Sequence, residues 1–319
     1  MEIVLTTDAN YLMPSGVLLK SLCEHNAQEE INVHLIVDNS VTQIQKEQLQ
    51  KVISGYDKKK LFYYHIDGDL FTNYPNLKNH YLSKAAYYRL FLTDILPSEI
   101  DKVLYLDCDM LVLKSLKDMW EVDMSNYAVA AIEDALVSYD ILCYNRLRYK
   151  PSKLYFNSGV MLINLKYWRE TNALQQFMDY LKNYSDRVVS HDQDILNVIF
   201  QDKKLLLPIT YNLQEGFLLK KRYFYYRDYE DKFFEYVKDP VILHYNIHKP
   251  WQKGCDHPRK EMFWKIQAQT IWKDMPLVPY PIRLTFKQKT KIFLVKVMEF
   301  MHLKVKPEYP YCDFDYVKN

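Results

Sequence analysis

No apolar stretch in this chain reaches the ~18 residues needed to span a bilayer, and Met1 runs straight into a strand-like segment instead of a basic region followed by an apolar one. A membrane-spanning protein and a secretory leader are therefore not expected, and the chain reads as cytoplasmic. Excess charge of one sign is also missing. The net charge of +2 argues against nucleic acid as the main partner. The five cysteines, Cys23, Cys108, Cys143, Cys255 and Cys312, are odd in number, scattered and without metal-ligand spacing. They fit reduced thiols in a cytoplasm. Internal repeats and low-complexity tracts are absent, and there are only 6 glycines against 28 tyrosines. Tyrosine offers flat, amphipathic surface for stacking on sugars or bases, although a genome favouring Tyr and Lys codons would give the same count.

With 319 residues, 49% of them hydrophobic, the chain can bury a substantial core. The expected organisation is one domain over residues 1–265 and a C-terminal tail over 266–319. Segments 2–6, 31–37 and 61–66 read as strands, and 13–24 and 41–53 as helices. This β-α-β-α-β order predicts an α/β fold, a doubly wound, mostly parallel sheet with helices on both faces and ligands at the carboxyl ends of its strands. Further along, 83–96 reads as a helix ended before Pro97. Residues 128–132 and 160–164 read as strands, 167–184 as a helix and 192–200 as a shorter helix with an acidic first turn. Residues 135–152 have no clear period and read as a Tyr- and Arg-rich loop, where acceptor contacts are expected.

Asp107-Cys108-Asp109 closes the apolar run Val103-Leu104-Tyr105-Leu106. In extended backbone, side chains two apart point the same way, so both carboxylates can face one hard divalent cation while Cys108 packs on the other side. A cation would remove the mutual repulsion of two buried carboxylates and offer open positions for phosphate oxygens. The alternative for an isolated Asp-x-Asp is a solvated turn.

Several segments decide between these readings when taken together. They are Ile3 through Tyr11 (Ile-Val-Leu-Thr-Thr-Asp-Ala-Asn-Tyr), Tyr88-Arg89-Leu90, Val103 through Asp109, Phe156-Asn157-Ser158-Gly159 with the apolar run to Leu165, Asp192-Gln193-Asp194-Ile195-Leu196-Asn197, and His244 through Trp251. In this order they resemble the family-8 retaining glycosyltransferases, whose best-known bacterial members are lipooligosaccharide galactosyltransferases. The resemblance implies a GT-A-like fold and a UDP-sugar donor. It implies Asp107, Asp109 and His244 as ligands of Mn²⁺, with Mg²⁺ second, and Lys249 neutralising the diphosphate. It places Arg89, Asp107, Asn157, Asp192 and Gln193 on the donor sugar, and Thr7, Asp8, Asn10 and Tyr11 on the nucleotide. On the residues alone, Asn157-Ser158-Gly159 would be an ordinary turn before a strand, Asp192 a helix N-cap and His244 a structural histidine.

Gln193 and Asp192 are the catalytic candidates. A neutral amide is a poor nucleophile, so Gln193 favours front-side transfer with retention, while Asp192 stays open as a nucleophile. The sequence departs from the family between His244 and Lys249. The usual spacing is one residue longer and contains a glycine near the phosphates, whereas Tyr245-Asn246-Ile247-His248 has none, so Asn246 or His248 is expected to take up phosphate contacts.

Residues 283–306 carry Arg283, Lys287, Lys289, Lys291, Lys296, Lys304 and Lys306 against the single acid Glu299, interleaved with residues such as Phe293, Met298 and Phe300. This composition suits a basic helix lying on an anionic membrane surface, or a helix packed on the catalytic domain with a solvated basic face. The family's basic, aromatic tails favour peripheral contact with the inner face of the plasma membrane. The leading expectation is a UDP-hexose-dependent hexosyltransferase moving galactose or glucose to a cell-surface glycan, glycolipid or glycoprotein. The alternatives are a self-glucosylating protein resembling glycogenin and an inactive sugar-nucleotide-binding scaffold.

Overall fold

The computed structural model describes residues 1–66, 85–137, 140–219 and 232–279, together with Leu294, Val297 and Met298. Ten strands are described: β1 (Glu2–Thr7), β2 (Ile31–Val37), β3 (Lys59–His65), β4 (Lys102–Leu106), β5 (Met110–Val112), β6 (Val129–Glu133), β7 (Phe156–Asn164), β8 (Lys204–Leu206), β9 (Leu213–Gln214) and β10 (Ile242–His244). Seven form one sheet in the order β3-β2-β1-β4-β7-β6-β8. Within it only β7 is antiparallel to its neighbours, β4 and β6. The expected mixed α/β architecture with a mostly parallel sheet is present.

Alternation along the strands builds two apolar cores, one on each face. Ile3 and Leu5 of β1 and Leu104 and Leu106 of β4 join one cluster with Val17, Leu18 and Leu22 of helix Leu12–His25. Val4, Val103 and Tyr105 join the other, with Trp168, Phe177 and Phe200. The four cysteines among the described residues, Cys23, Cys108, Cys143 and Cys255, are free and buried. No helix among the described residues is long and apolar enough to cross a membrane.

The reversed direction of β7 positions the site. Parallel strands present their carboxyl ends at one edge of the sheet, and an antiparallel strand brings its amino end there. Thr7, Asp107, Asp134 and Asn157 therefore meet at one edge although Asn157 begins its strand. The β6–β7 register shifts between Ala131, paired with Met161, and Ile132, paired with Asn157. Residues 158–160 bulge at this shift, freeing backbone groups of Ser158 for side-chain partners. A three-stranded sheet, β5-β10-β9, crosses the same edge and sets His244 opposite Met110, directly beyond Asp109.

Several local expectations are corrected. Asn157, Ser158 and Gly159 lie inside β7, not in a turn before it. The helix expected over 83–96 is three short pieces, Ala85–Tyr88, the 3₁₀ turn Arg89–Phe91 and Leu92–Ile95, with 83–84 outside the described residues. The helix over 167–184 breaks at Asn172, whose φ of 51° is left-handed, giving Leu165–Glu170 and Ala173–Tyr184. The loop over 135–152 contains a helix, Ile141–Leu147, N-capped by Asp140 and burying Cys143, Tyr144 and Leu147. Asp192 sits in the first turn of helix His191–Ile199, whose N-cap position is Ser190.

Residues 266–279 pack on the α/β body. A Cβ at Gly16 would fall 2.0 Å from the Trp272 ring, so the indole needs the bare backbone of that helix. Val278 bonds to Trp251 and Lys253 through the main chain. Apart from Leu294, Val297 and Met298, the basic stretch 283–306 lies outside the described residues.

Candidate active site

Every residue expected at the site is described, and together they line or adjoin a cleft of about 680 Å³. Its nucleotide end is built where β1 gives way to helix Leu12–His25. Asp8 Oδ1 accepts from the backbone N–H groups of Asn10 and Tyr11, 2.9 and 3.0 Å away, and so caps the 3₁₀ turn that presents both side chains. Thr7 Oγ1 accepts from Ser15. Tyr11 stands edge-on to Trp251, ring centres 5.7 Å apart. Val278 and Pro279 close the same wall.

The expected sugar-binding residues centre on Arg89, which the 3₁₀ turn buries under the sheet edge. Its guanidinium donates to Ser158 O at 2.7 Å and Asp107 Oδ1 at 2.9 Å, and its Nε lies 3.1 Å from Asp192 Oδ2. Its carbon sits 4.4 Å from the centre of the Tyr105 ring. One planar cation therefore bridges two acids and a freed carbonyl, which a lysine's single ammonium would not reproduce. Ser158 Oγ donates to Asp192 Oδ2 at 3.0 Å. Burial raises the Asp192 carboxyl to about 6, although Arg89 pulls the other way.

Gln193 is held in one orientation. Its Oε1 accepts from Ser158 N–H at 2.9 Å, and its Nε2 donates to Asp134 Oδ2 at 3.2 Å. Asn157 Nδ2 donates to the same Asp134 oxygen at 3.0 Å. The other Asp134 oxygen accepts from the N–H groups of Leu136 and Val137.

At the other end, Asp107, Asp109 and His244 each offer a ligand atom, all within 4.8 Å of one another. Two carboxylates and an imidazole make a donor set for a divalent cation. Two observations fit one, the unbonded oxygen of Asp109 and the open space at Gly159. Asp109 Oδ1 is buried and receives no hydrogen bond from the described residues, while His244 Nε2 lies 3.2 Å from it. Lys249 Nζ sits on Asp109 Oδ2, so a positive charge already balances this carboxylate. Burial works to raise the Asp109 carboxyl, and Lys249 overrides it, holding it below the usual carboxylate range. Finally, a Cβ at Gly159 would fall 2.6 Å from His244 Cε1 and 2.8 Å from Asp107 Oδ2. Only glycine leaves the space between these ligands open. Cys108 is directed away, its thiol donating to Thr6 O, and burial pushes it up to about 12.

The short segment from His244 to Lys249 is pinned by buried Glu215. Its carboxylate accepts from His248 N–H and lies 2.7 Å from His248 Nδ1, while Asn246 Oδ1 accepts the Glu215 N–H. Both side chains expected to take up phosphate contacts are thus engaged with Glu215.

Sequence reasoning missed Asp134, Tyr105, Ser158 as a separate contact, and Asn212. Tyr105 was within reach, since strand alternation puts it on the same side as Asp107, and its hydroxyl donates to Asp107 Oδ1. Asn212 stands in a 3₁₀ turn with no local signal.

The family model described as glycosyl transferase family 8 matches residues 2–255. A putative glycosyltransferase of Haemophilus influenzae is 30% identical, over 89% of this chain and 86% of that protein. A lipopolysaccharide 1,2-glucosyltransferase of Escherichia coli is 28% identical over 90% of this chain and 84% of its own. The crystal structure of the galactosyltransferase LgtC, in complex with donor and acceptor sugar analogues, superposes with a TM-score of 0.75. That match is at 26% identity and covers 86% of this chain and 99% of that one.

Proposed function

The chain belongs to glycosyl transferase family 8, and from that membership we propose a metal-dependent, retaining enzyme that moves galactose or glucose from a UDP-sugar to a hydroxyl of a cell-surface glycan, glycolipid or glycoprotein. The convergence of Asp107, Asp109 and His244 beside the cleft lined by Thr7, Asp8, Asn10 and Tyr11 carries this reading. These three side chains would hold Mn²⁺, with Mg²⁺ second, and the cation would offset charge developing on the diphosphate as it leaves. Lys249, now on Asp109, supplies a second positive charge at the same place.

Arg89, Asn157, Asp192 and Gln193 orient the sugar, and Tyr11 and Trp251 present rings to the base. Retention follows best from front-side transfer. The bond from the anomeric carbon to the diphosphate oxygen breaks, the acceptor oxygen bonds on the same face, and the acceptor proton passes to the departing oxygen. Gln193 supports this step and does not attack, since its carbonyl is occupied by Ser158 N–H. Asp192 is turned toward Arg89 and Ser158, which suits an orienting carboxylate. Exposed Leu136, Ile141 and Leu142, in the stretch following Asp134, support an acceptor with an apolar portion. The basic tail would hold the enzyme at the inner face of the plasma membrane.

UDP release measured across UDP-glucose, UDP-galactose and their N-acetyl forms, with and without Mn²⁺, tests the donor and metal assignments. The anomeric proton of the product should report an α linkage. A β linkage would overturn retention.

A further inference from the structure

We propose that Asn212 is a positioning residue, the last member of an amide relay from Asp134 that fixes the tautomer of His244 and aims its Nε2 lone pair at the cation. The inference rests on the metal reading above. Its polarity can be traced from groups whose roles are unambiguous. Asp134 Oδ2 can only accept, so the Asn157 atom 3.0 Å away is the amide nitrogen. Gly159 N–H can only donate, so the Asn157 atom 3.0 Å from it is Oδ1. Both ends of the Asn157 amide are therefore fixed independently and agree.

Asn157 Oδ1 also receives Asn212 Nδ2 at 2.9 Å. The Asn212 amide is fixed in turn, and its oxygen lies 2.9 Å from His244 Nδ1. An oxygen acceptor there places the imidazole proton on Nδ1 and leaves Nε2 as a lone pair. Nε2 is the atom that faces buried Asp109 Oδ1 at 3.2 Å. Two lone pairs held face to face are unfavourable unless a cation lies between them. Asn157, Asn212 and His244 are all buried, so water does not randomise the chain of bonds. Because Gln193 Nε2 donates to the same Asp134 oxygen, one carboxylate orients the metal ligand and the amide at the reacting face together.

The test uses the full chain. In metal-free, ¹⁵N-labelled protein at a pH where the ring is neutral, long-range ¹H–¹⁵N spectra should show His244 protonated at Nδ1. Asn212→Leu should mix the tautomers and weaken Mn²⁺ binding, read by electron paramagnetic resonance of free Mn²⁺, by roughly 10- to 100-fold, as loss of an outer partner of a metal-bound histidine does. Asn212→Asp restores an acceptor for Nδ1–H and should bind Mn²⁺ within a few-fold of the parent. It also removes the donor to Asn157, so KM for the UDP-sugar should rise. An Nε2–H tautomer in the parent overturns the relay. So does Mn²⁺ affinity left intact in Asn212→Leu, or lost in a folded Asn212→Asp. If Asn212→Leu fails to fold, the parent spectrum and Asn212→Asp still decide. A parent chain that binds no Mn²⁺ sinks the metal reading itself, which the tautomer spectrum distinguishes from failure of the relay.

Discussion

Around Arg89, Asp107, Asp192, Ser158, Gln193 and Asp134, donors meet acceptors at 2.7–3.2 Å and the charges interlock. A few residues along the same strand end, Asp109 Oδ1 faces the His244 ring with no hydrogen bond from the described residues, and Lys249 places a positive charge on the other oxygen. The first region is complete as folded, while the second leaves the Asp109 oxygen and the His244 nitrogen facing each other unbonded beside Lys249, the arrangement proposed above to take a cation. A sugar is recognised by fixed neutral and ionic hydrogen bonds, which can be satisfied in advance. A cation is recognised by converging lone pairs, which cannot. Disturbing the first region should therefore cost stability, and disturbing the second should cost affinity and rate.

The sharpest test of that division is Arg89→Met. It leaves Asp107 and Asp192 without their shared partner, and stripping one member from a buried ionic network costs about 3–5 kcal/mol. Urea unfolding should show that loss, and a variant as stable as the parent would break the comparison. Asp109→Asn should instead leave folding largely intact and lower transfer by about 100-fold or more, roughly 2.7 kcal/mol of transition-state stabilisation. Full activity of the parent in excess EDTA would remove the distinction between the two ends. Next in size, Gly159→Ala should weaken Mn²⁺ binding by about tenfold or more, because its Cβ would fall among the ligands. Unchanged affinity would show that the ligands can spread.

The pH dependence sharpens the comparison further. Asp192 titrates at about 6 when folded, above its unfolded value of about 3.9. The folded state thus holds the proton more tightly, and the stability this gives is full below about pH 4 and lost as pH rises through about 6. Activity should run oppositely. On the proposed role of the ionised, Arg89-paired form in orienting the sugar, kcat/KM should fall about tenfold per unit below pH 6, and Asp192→Asn should abolish that limb. The smallest expected effect is on donor chemistry when the chain is cut after residue 280. UDP release should persist, while salt-sensitive binding to anionic vesicles is lost. Loss of a cooperative melt would mean that the tail belongs to the core.

Much of the first half of the sheet was legible because β1, β2 and β4 each carry a dense apolar stretch, Ile3 to Leu5, Leu35 to Val37 and Val103 to Leu106, and the convergence of Asp107, Asp109 and His244 because few residue types can serve a cation. The elements that were misread are short or irregular. Asn157-Ser158-Gly159 is polar and looks like a turn, yet a bulge in β7 makes it strand. The break at Asn172 carries neither Gly nor Pro, and helix Ile141–Leu147 is too brief to show a period. Asp134 and Asn212 were invisible for a different reason. Their roles come from partners 23 and 55 residues away, Asn157 in both cases, and nothing in their immediate neighbours encodes that.

The pairing of β10 with β5 has a bearing on how the protein is made. His244 reaches Asp109 only through a strand that leaves the ribosome 135 residues after it. At 5–20 residues per second, the two aspartates wait roughly 7 to 27 s for their histidine and for Lys249. β1, β2 and β3 can already associate during that interval, but a nascent chain halted before residue 244 should neither retain Mn²⁺ nor protect a nucleotide sugar. Competence would then arrive in a single late event of synthesis, with no partly active species before it.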